Sequence, residues 1–453
     1  MIQPERVRAL NAKPVRPGGY VLYWMQAAQR AEGNHALEFA VRRANDLGRP
    51  LVAFFGLTPD FPEANARHYA FLLEGLSETA EALGKRGVRF LLREGSPSRS
   101  AVQLGRRAAL VIVDGGYLRI ERRWRTEAAR ALGCALIEVE TNAVVPVRAV
   151  SGKEEYAAAT IRPKIHRLWR DYLVPLRPTA LKKDGLGLRF DSLRPDDPQA
   201  LLAELPVDRS VPPVAAFRGG TSSARRLLRL FTARKLKDYA EARNDPTRDA
   251  LSGLSPYLHF GQISPLEVAL AVKEAGGYGT EPFLEELIVR RELSLNFVLY
   301  NPRYDRFDGL PDWCRATLTV HAKDRREYIY SRPAWEAART HDPYWNAAQK
   351  EMVLTGRMHG YMRMYWGKKV LEWSATPQEA FRTALALNNK YALDGWDANS
   401  FAGVAWCFGK HDRPWGERPV FGTIRYMAAS GLRRKFDADA YVRKVEALET
   451  GRN

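Results

Sequence analysis

At 453 residues the chain is too long for one ordinary hydrophobic core, so two or three domains are expected. Apolar residues make up 45% and charged residues 27%, with no apolar run near the ~18–20 residues that span a bilayer and no secretory signal, so a cytoplasmic protein without membrane association is expected. Three scattered cysteines and eight histidines without HExxH spacing give no disulfide framework and no metal site, while a net charge of +18 favours a polyanion such as nucleic acid. A compositional bias towards Arg would produce the same charge.

Short β-branched runs at 20–25, 51–57, 88–92, 109–113 and 135–139 alternate with helical patterns at 34–47, 67–85, 97–107 and 121–132. This alternation predicts that residues 1–145 form an α/β domain with a doubly wound parallel sheet. Asp114-Gly115-Gly116 closes the fourth run, where such sheets tend to bind ligands, although a plain tight turn explains the glycines as well. Neither GxGxxG nor a P-loop occurs. Seven prolines between Val174 and Pro213 and fading periodicity mark 146–220 as an interdomain connector that wraps the surface. From 221 to 453 the pattern is helical, as at 222–239, 265–274, 282–298, 344–355, 357–371 and 376–388. An all-α domain rich in Trp is expected there.

Four blocks carry chemistry. In Leu251-Ser252-Gly253-Leu254-Ser255-Pro256-Tyr257-Leu258-His259-Phe260-Gly261, small hydroxyl residues surround a glycine just before a helix. Backbone N–H groups so placed can hold phosphate oxygens, and an ordinary capped turn looks the same. In Phe283-Leu284-Glu285-Glu286-Leu287-Ile288-Val289-Arg290-Arg291-Glu292 the apolar residues leave little room for a polar face. Some of these charges must be buried and paired. Trp366 and Trp373 lie two helical turns apart, which stacks them on one face ~10 Å apart, and Trp345 falls on the preceding helix. Such indoles could relay an electron, or could form an aromatic core stripe. The stretch from Trp406 through Lys410, Asp412, Arg413 and Trp415 to Arg425, Arg433 and Arg434 interleaves basic and aromatic residues. That suits gripping phosphates and stacking on bases, or a solvated basic face.

In order and spacing these strings resemble the photolyase/cryptochrome family, and within it the class II cyclobutane pyrimidine dimer photolyases, moderately over 20–165 and strongly over 251–444. The resemblance implies FAD in the all-α domain, held by Tyr239, Leu251, Ser252, Gly253, Leu254, Ser255 and Phe283. It pairs Arg363 with Asp394 beside the flavin and sets Asn388 at flavin N5, with Asn399 as rival. It makes Trp366, Trp345 and Trp373, in that order, the electron relay. It assigns Glu286, Arg243 and Trp406 to the dimer, Asp412 and Arg413 to the gap left by a flipped dimer, and Trp415, Arg425 and Arg434 to the DNA. Double-stranded DNA containing pyrimidine dimers is the implied partner, with the protein acting as a monomer. Because a dimer cannot be reached inside the stack, it is expected to flip out, to receive an electron from light-excited reduced FAD and to split.

An antenna chromophore such as a deazaflavin would belong to the α/β domain, though no residue names it. Two departures stand out. Val289 occupies the Trp position of Glu-x-x-Trp, and Trp396 replaces the Arg of Gly-Arg-Asp. The competing readings are a cryptochrome-like photoreceptor without repair, and a nucleotide-dependent enzyme anchored on nucleic acid. The second lacks any Ser-Gly-Gly-x-Asp-Ser or His-Ile-Gly-His string.

Overall fold

In the computed structural model, which describes residues 2–451, six strands form one sheet. They are β1 (Val7–Ala9), β2 (Tyr20–Met25), β3 (Leu51–Leu57), β4 (Arg89–Glu94), β5 (Ala108–Asp114) and β6 (Leu136–Val139). Their order is β1-β6-β5-β2-β3-β4, with β2 to β6 all parallel. From β2 in the middle the chain winds outward to β4, then crosses back to β5 and β6. This is the doubly wound order, and it places a switch point between β2 and β5.

Period-2 alternation puts both faces of β2 to use. Val21, Tyr23 and Met25 pack with helices His35–Asp46 and Ala66–Lys85 on one face, while Tyr20, Leu22 and Trp24 pack with Pro97–Gly105 and Arg119–Ala131 on the other. Side-chain caps begin these helices: Asn34 accepts from the Leu37 N–H and Ser96 from that of Arg99.

The sheet differs from the sequence expectation at its edge. It gains β1, which runs antiparallel on β6 and covers that side. At the opposite edge Leu193 bridges Leu92 of β4, so the connector shields that side too. The stretch 146–220 is not structureless either. It contains helices Val147–Val150, Ala158–Tyr172 and Pro198–Glu204, and Ile161 and Ile165 pack in one cluster with Leu228, Phe231 and Tyr257.

Beyond residue 220 the chain is helical, from Thr221–Leu230 to Ala438–Glu449. The helix read at 357–371 starts only at Gly360. Gly356, at φ 73°, ends the preceding helix in the left-handed region, and the His359 side chain caps the next one. Buried arginines lock the two parts together by donating to backbone carbonyls. Arg67 reaches the carbonyls of Pro212, Met352, Val353 and Tyr391, and burial lowers its pKa to about 10. Arg30 reaches the Gly261 carbonyl and Asn142. Among the described residues no helix is long and apolar enough to cross a membrane.

Candidate active site

Helices Thr280–Leu284 and Arg291–Tyr300 are joined by a π-helical turn over Glu285–Arg290. Such widened turns recur at functional sites because they re-aim side chains. Arg243, just past helix Tyr239–Ala242, donates from Nη1 to Glu286 Oε1 at 2.6 Å. The pair stays open to solvent, with side chains 30% and 41% exposed. The Arg243 guanidinium also lies 5.8 Å from the Tyr239 ring centre, and Tyr239 packs edge-on against Phe231 and Phe283. Burial, then the Glu286 charge, pushes the Tyr239 hydroxyl up to about 12. The fully buried carboxyl of this block is instead Glu292, which accepts the N–H groups of Val144 and Val145 and is pushed up by burial to about 8.

Leu251 to Leu254 form an irregular loop before helix Ser255–His259. Gly253 takes φ +72°, which glycine adopts at no steric cost, and Ser252 Oγ accepts the Leu254 N–H. Arg363 donates from Nη2 to Asp394 Oδ1 at 3.1 Å, while its buried Nε has no protein partner. The two asparagines separate clearly. Asn388 donates to Ser400 Oγ, which donates to the Asp394 carbonyl, so Asn388 belongs to the Arg363–Asp394 network. Both the backbone and side-chain N–H groups of Asn399 are taken by Asp397, whose carboxylate His259 holds below the usual range against the opposing push of burial.

The tryptophans form a chain with one member that the sequence reading missed. Trp345 and Trp366 stack 6.2 Å apart at 10°. Trp366 donates its indole N–H to Gln349. Trp335 lies 4.7 Å from Trp345 and stacks on Trp373 at 6.3 Å, so it stands between the second and third residues of the expected relay. Tyr330 and His341 continue from Trp373 towards the surface, joined through the Tyr330 hydroxyl and His341 Nδ1 at 2.6 Å. Trp335 sits in the five-residue helix Arg332–Glu336, too short for periodicity to mark its face.

On the outer face Trp415 is 40% exposed and gripped by two guanidiniums, Arg413 at 4.8 Å and Arg425 at 4.9 Å. Asp412 accepts the Arg413 N–H and the Trp415 indole N–H, and Trp406 has Arg290 over its ring. Arg434 is exposed on helix Ala429–Lys435. The Trp415 loop is docked on helix Asp312–Val320 and the turn after it. Val420 N–H donates to Asp324, Thr423 N–H to Thr317, and His321 faces Asp324 and Glu417 at 2.6 and 2.9 Å.

A cavity of about 180 Å³ lies at the sheet's switch point, between the α/β and helical parts. Trp24, Phe55, Trp124, Trp396 and Phe260 line it, with Gln26, Glu121, Asn142 and Arg291 supplying polar groups. Gly116, just past β5, lines this cavity, while Asp114 does not. Its carboxylate ties the loop after β2 by accepting from Tyr23 and the N–H groups of Gln26, Ala27 and Ala28. Trp396 points to this cavity, packing on Phe61 and bonding Glu63, so it stands apart from the Arg363–Asp394 pair.

A doubly wound sheet packed on a helical domain, with an aromatic-lined interface cavity and a tryptophan chain, defines the photolyase/cryptochrome fold. Similar solved structures are a class III photolyase from Agrobacterium tumefaciens (TM-score 0.75, 20% identity, 96% of this chain and 87% of that one) and a Synechocystis cryptochrome (0.73, 18%, 95% and 89%). A DNA photolyase family model matches residues 21–182. The chain is 51% identical to the deoxyribodipyrimidine photo-lyase of Methanothermobacter thermautotrophicus over 99% of both, and 40% identical to that of Potorous tridactylus over 94% of this chain and 81% of that one. This chain belongs to the DNA photolyase family.

Proposed function

We propose that the protein is a class II photolyase that repairs cyclobutane pyrimidine dimers in double-stranded DNA with light, acting as a monomer in the cytoplasm. The observation that carries this reading is the stacked tryptophan chain. It begins at Trp366, one helical turn from the Arg363–Asp394 pair, and runs through Trp345 and Trp335 to Trp373.

The residues present fit FAD. Arg363 offers an unpartnered buried donor next to a carboxylate, and Asn388 is tied into the same network. The Gly253 loop, left-handed at its glycine, would turn backbone N–H groups to a pyrophosphate. Tyr239, Phe283 and residues 251–255 would hold the cofactor, and Asn388 is the residue for flavin N5, since Ser400 ties it to Asp394 beside Arg363. Bound there, reduced FAD supplies the photoexcited electron.

The chain's own residues do the remaining work. The face formed by Arg413, Trp415, Arg425 and Arg434 grips the DNA, while Asp412 and Arg413 fill the gap left by the flipped dimer. Arg243 and Glu286 meet the dimer, the guanidinium steadying negative charge as it develops and the carboxylate accepting hydrogen bonds from the bases. Trp406 packs against the dimer's apolar side. The tryptophan chain serves to restore the reduced cofactor and takes no part in each repair turnover. The interface cavity suits a planar antenna chromophore, its aromatic walls matching a ring system.

The test is a blue-light repair assay on a dimer-containing oligonucleotide with FAD-loaded, reduced protein. Flavin photoreduction without any dimer repair would favour a photoreceptor instead.

A further inference from the structure

We propose that a groove at the β1–β6 edge of the sheet binds a phosphate-bearing anion. Its walls are Arg8 of β1, Glu138 of β6, Arg148, and Arg122, Arg125 and Arg130 of helix Arg119–Ala131. The groove encloses about 510 Å³, within the size range of small-ligand sites.

Its charge is unbalanced. Five guanidiniums line the groove with one carboxylate, Glu138, which is already used, and the buried Glu140 behind the wall lies 3.9 Å from Arg148. Glu138, 2% exposed, takes Arg8 and Arg148 on Oε1 at 3.1 and 3.2 Å, while Arg125 Nε lies 2.9 Å from Oε2, off its hydrogen-bonding line. Arg125 is fixed in the wall, since it also donates to Gln26 and to the Gly116 carbonyl. Arg122 spends one nitrogen on the Leu299 carbonyl, and Arg130 makes no ion pair among the described residues.

A basic face that served only solubility would hold its charges apart in water. Here burial, and then the neighbouring Arg125 and Arg148, press the Arg122 pKa down, a repulsion that a bound anion would relieve. Planar guanidinium forks match phosphate oxygens two at a time, which favours phosphate over a simple halide. None of these residues belongs to the Trp415 face, so the groove is separate from the surface assigned to the dimer. The phosphate could come from a free nucleotide or from the DNA backbone flanking the lesion.

The test is calorimetric titration of the flavin-loaded protein with pyrophosphate, ADP, and short and long undamaged duplexes. The variants are Arg122→Gln with Arg130→Gln, and Arg8→Gln alone, with flavin content and thermal melting as folding controls. The double variant is expected to bind pyrophosphate about tenfold more weakly. Loss of ADP binding with duplex affinity unchanged identifies a nucleotide site. Loss confined to the long duplex, with a salt slope lower by about 1–2, identifies flanking DNA. Pyrophosphate binding that is absent from the unaltered protein, or equal in protein and variants, overturns the proposal.

Discussion

Trp345 donates its indole N–H to the backbone carbonyl of Trp366 at 3.1 Å while the two rings stack 6.2 Å apart, nearly parallel. The hydrogen bond fixes the orientation of one ring against the helix that carries the other, so their separation does not depend on loose packing. Both are buried to within 1%. Replacing Trp366 by Phe is expected to slow flavin photoreduction at least about tenfold, equivalent to ~1.4 kcal/mol of barrier, and to spare repair by chemically reduced enzyme. Flavin absorption under blue light, followed by a repair assay with dithionite-reduced protein, checks both parts.

Trp335 gives a second prediction. Because it lies between Trp345 and Trp373, Trp335→Phe should also slow photoreduction while leaving flavin binding and repair by reduced enzyme unchanged. Transient absorption of tryptophan radicals would show the step that is lost. Unchanged photoreduction would mean that the electron passes from Trp345 to Trp373 without it.

At the proposed dimer contact, Glu286→Gln keeps the shape of the side chain and removes the charge facing Arg243. Repair by reduced enzyme is expected to fall about tenfold, with affinity for undamaged DNA unchanged. Measuring repair yield and duplex binding on the same preparation separates loss of chemistry from loss of grip.

The Trp415 loop should respond to pH through His321. The hydrogen bond to Asp324 first, and that to Glu417 next, raise the His321 pKa above its ordinary 6.5. A raised histidine stabilises the docked loop fully below the unfolded value, and the contribution is lost as pH climbs through the folded one. Binding to dimer-containing DNA should therefore weaken above about pH 6.5 in the unaltered protein and less so in His321→Asn. Fluorescence anisotropy across pH 6 to 9 at constant salt makes the comparison.

Much of the fold was legible because the parallel strands are continuous apolar runs: every residue of β2, β3 and β5 is buried. The short strand β1 was not, since three residues are too few for the alternation of Val-Arg-Ala to stand out, and it forms only because β6 offers an open edge. Among site residues, the Arg363–Asp394 pair and the Trp345–Trp366 stack came from strings whose order resembles a known family. Trp335 lies in a helix too short to show periodicity, while the interface cavity and the arginine groove draw on segments that only the fold brings together. Which carboxyl of the second block is buried was not legible either: it is Glu292, beyond the π-helical turn, while Glu286 stays partly exposed.

Splitting of pyrimidine dimers by light is the activity on which everything above converges. The most direct measurement is the recovery of intact thymines from a dimer-containing duplex incubated with FAD-loaded, reduced protein, in blue light and in the dark. Restored thymines in the light and none in the dark are the predicted result. No restoration in the light by protein that holds reduced flavin and binds the duplex, or equal restoration in the dark, would contradict it.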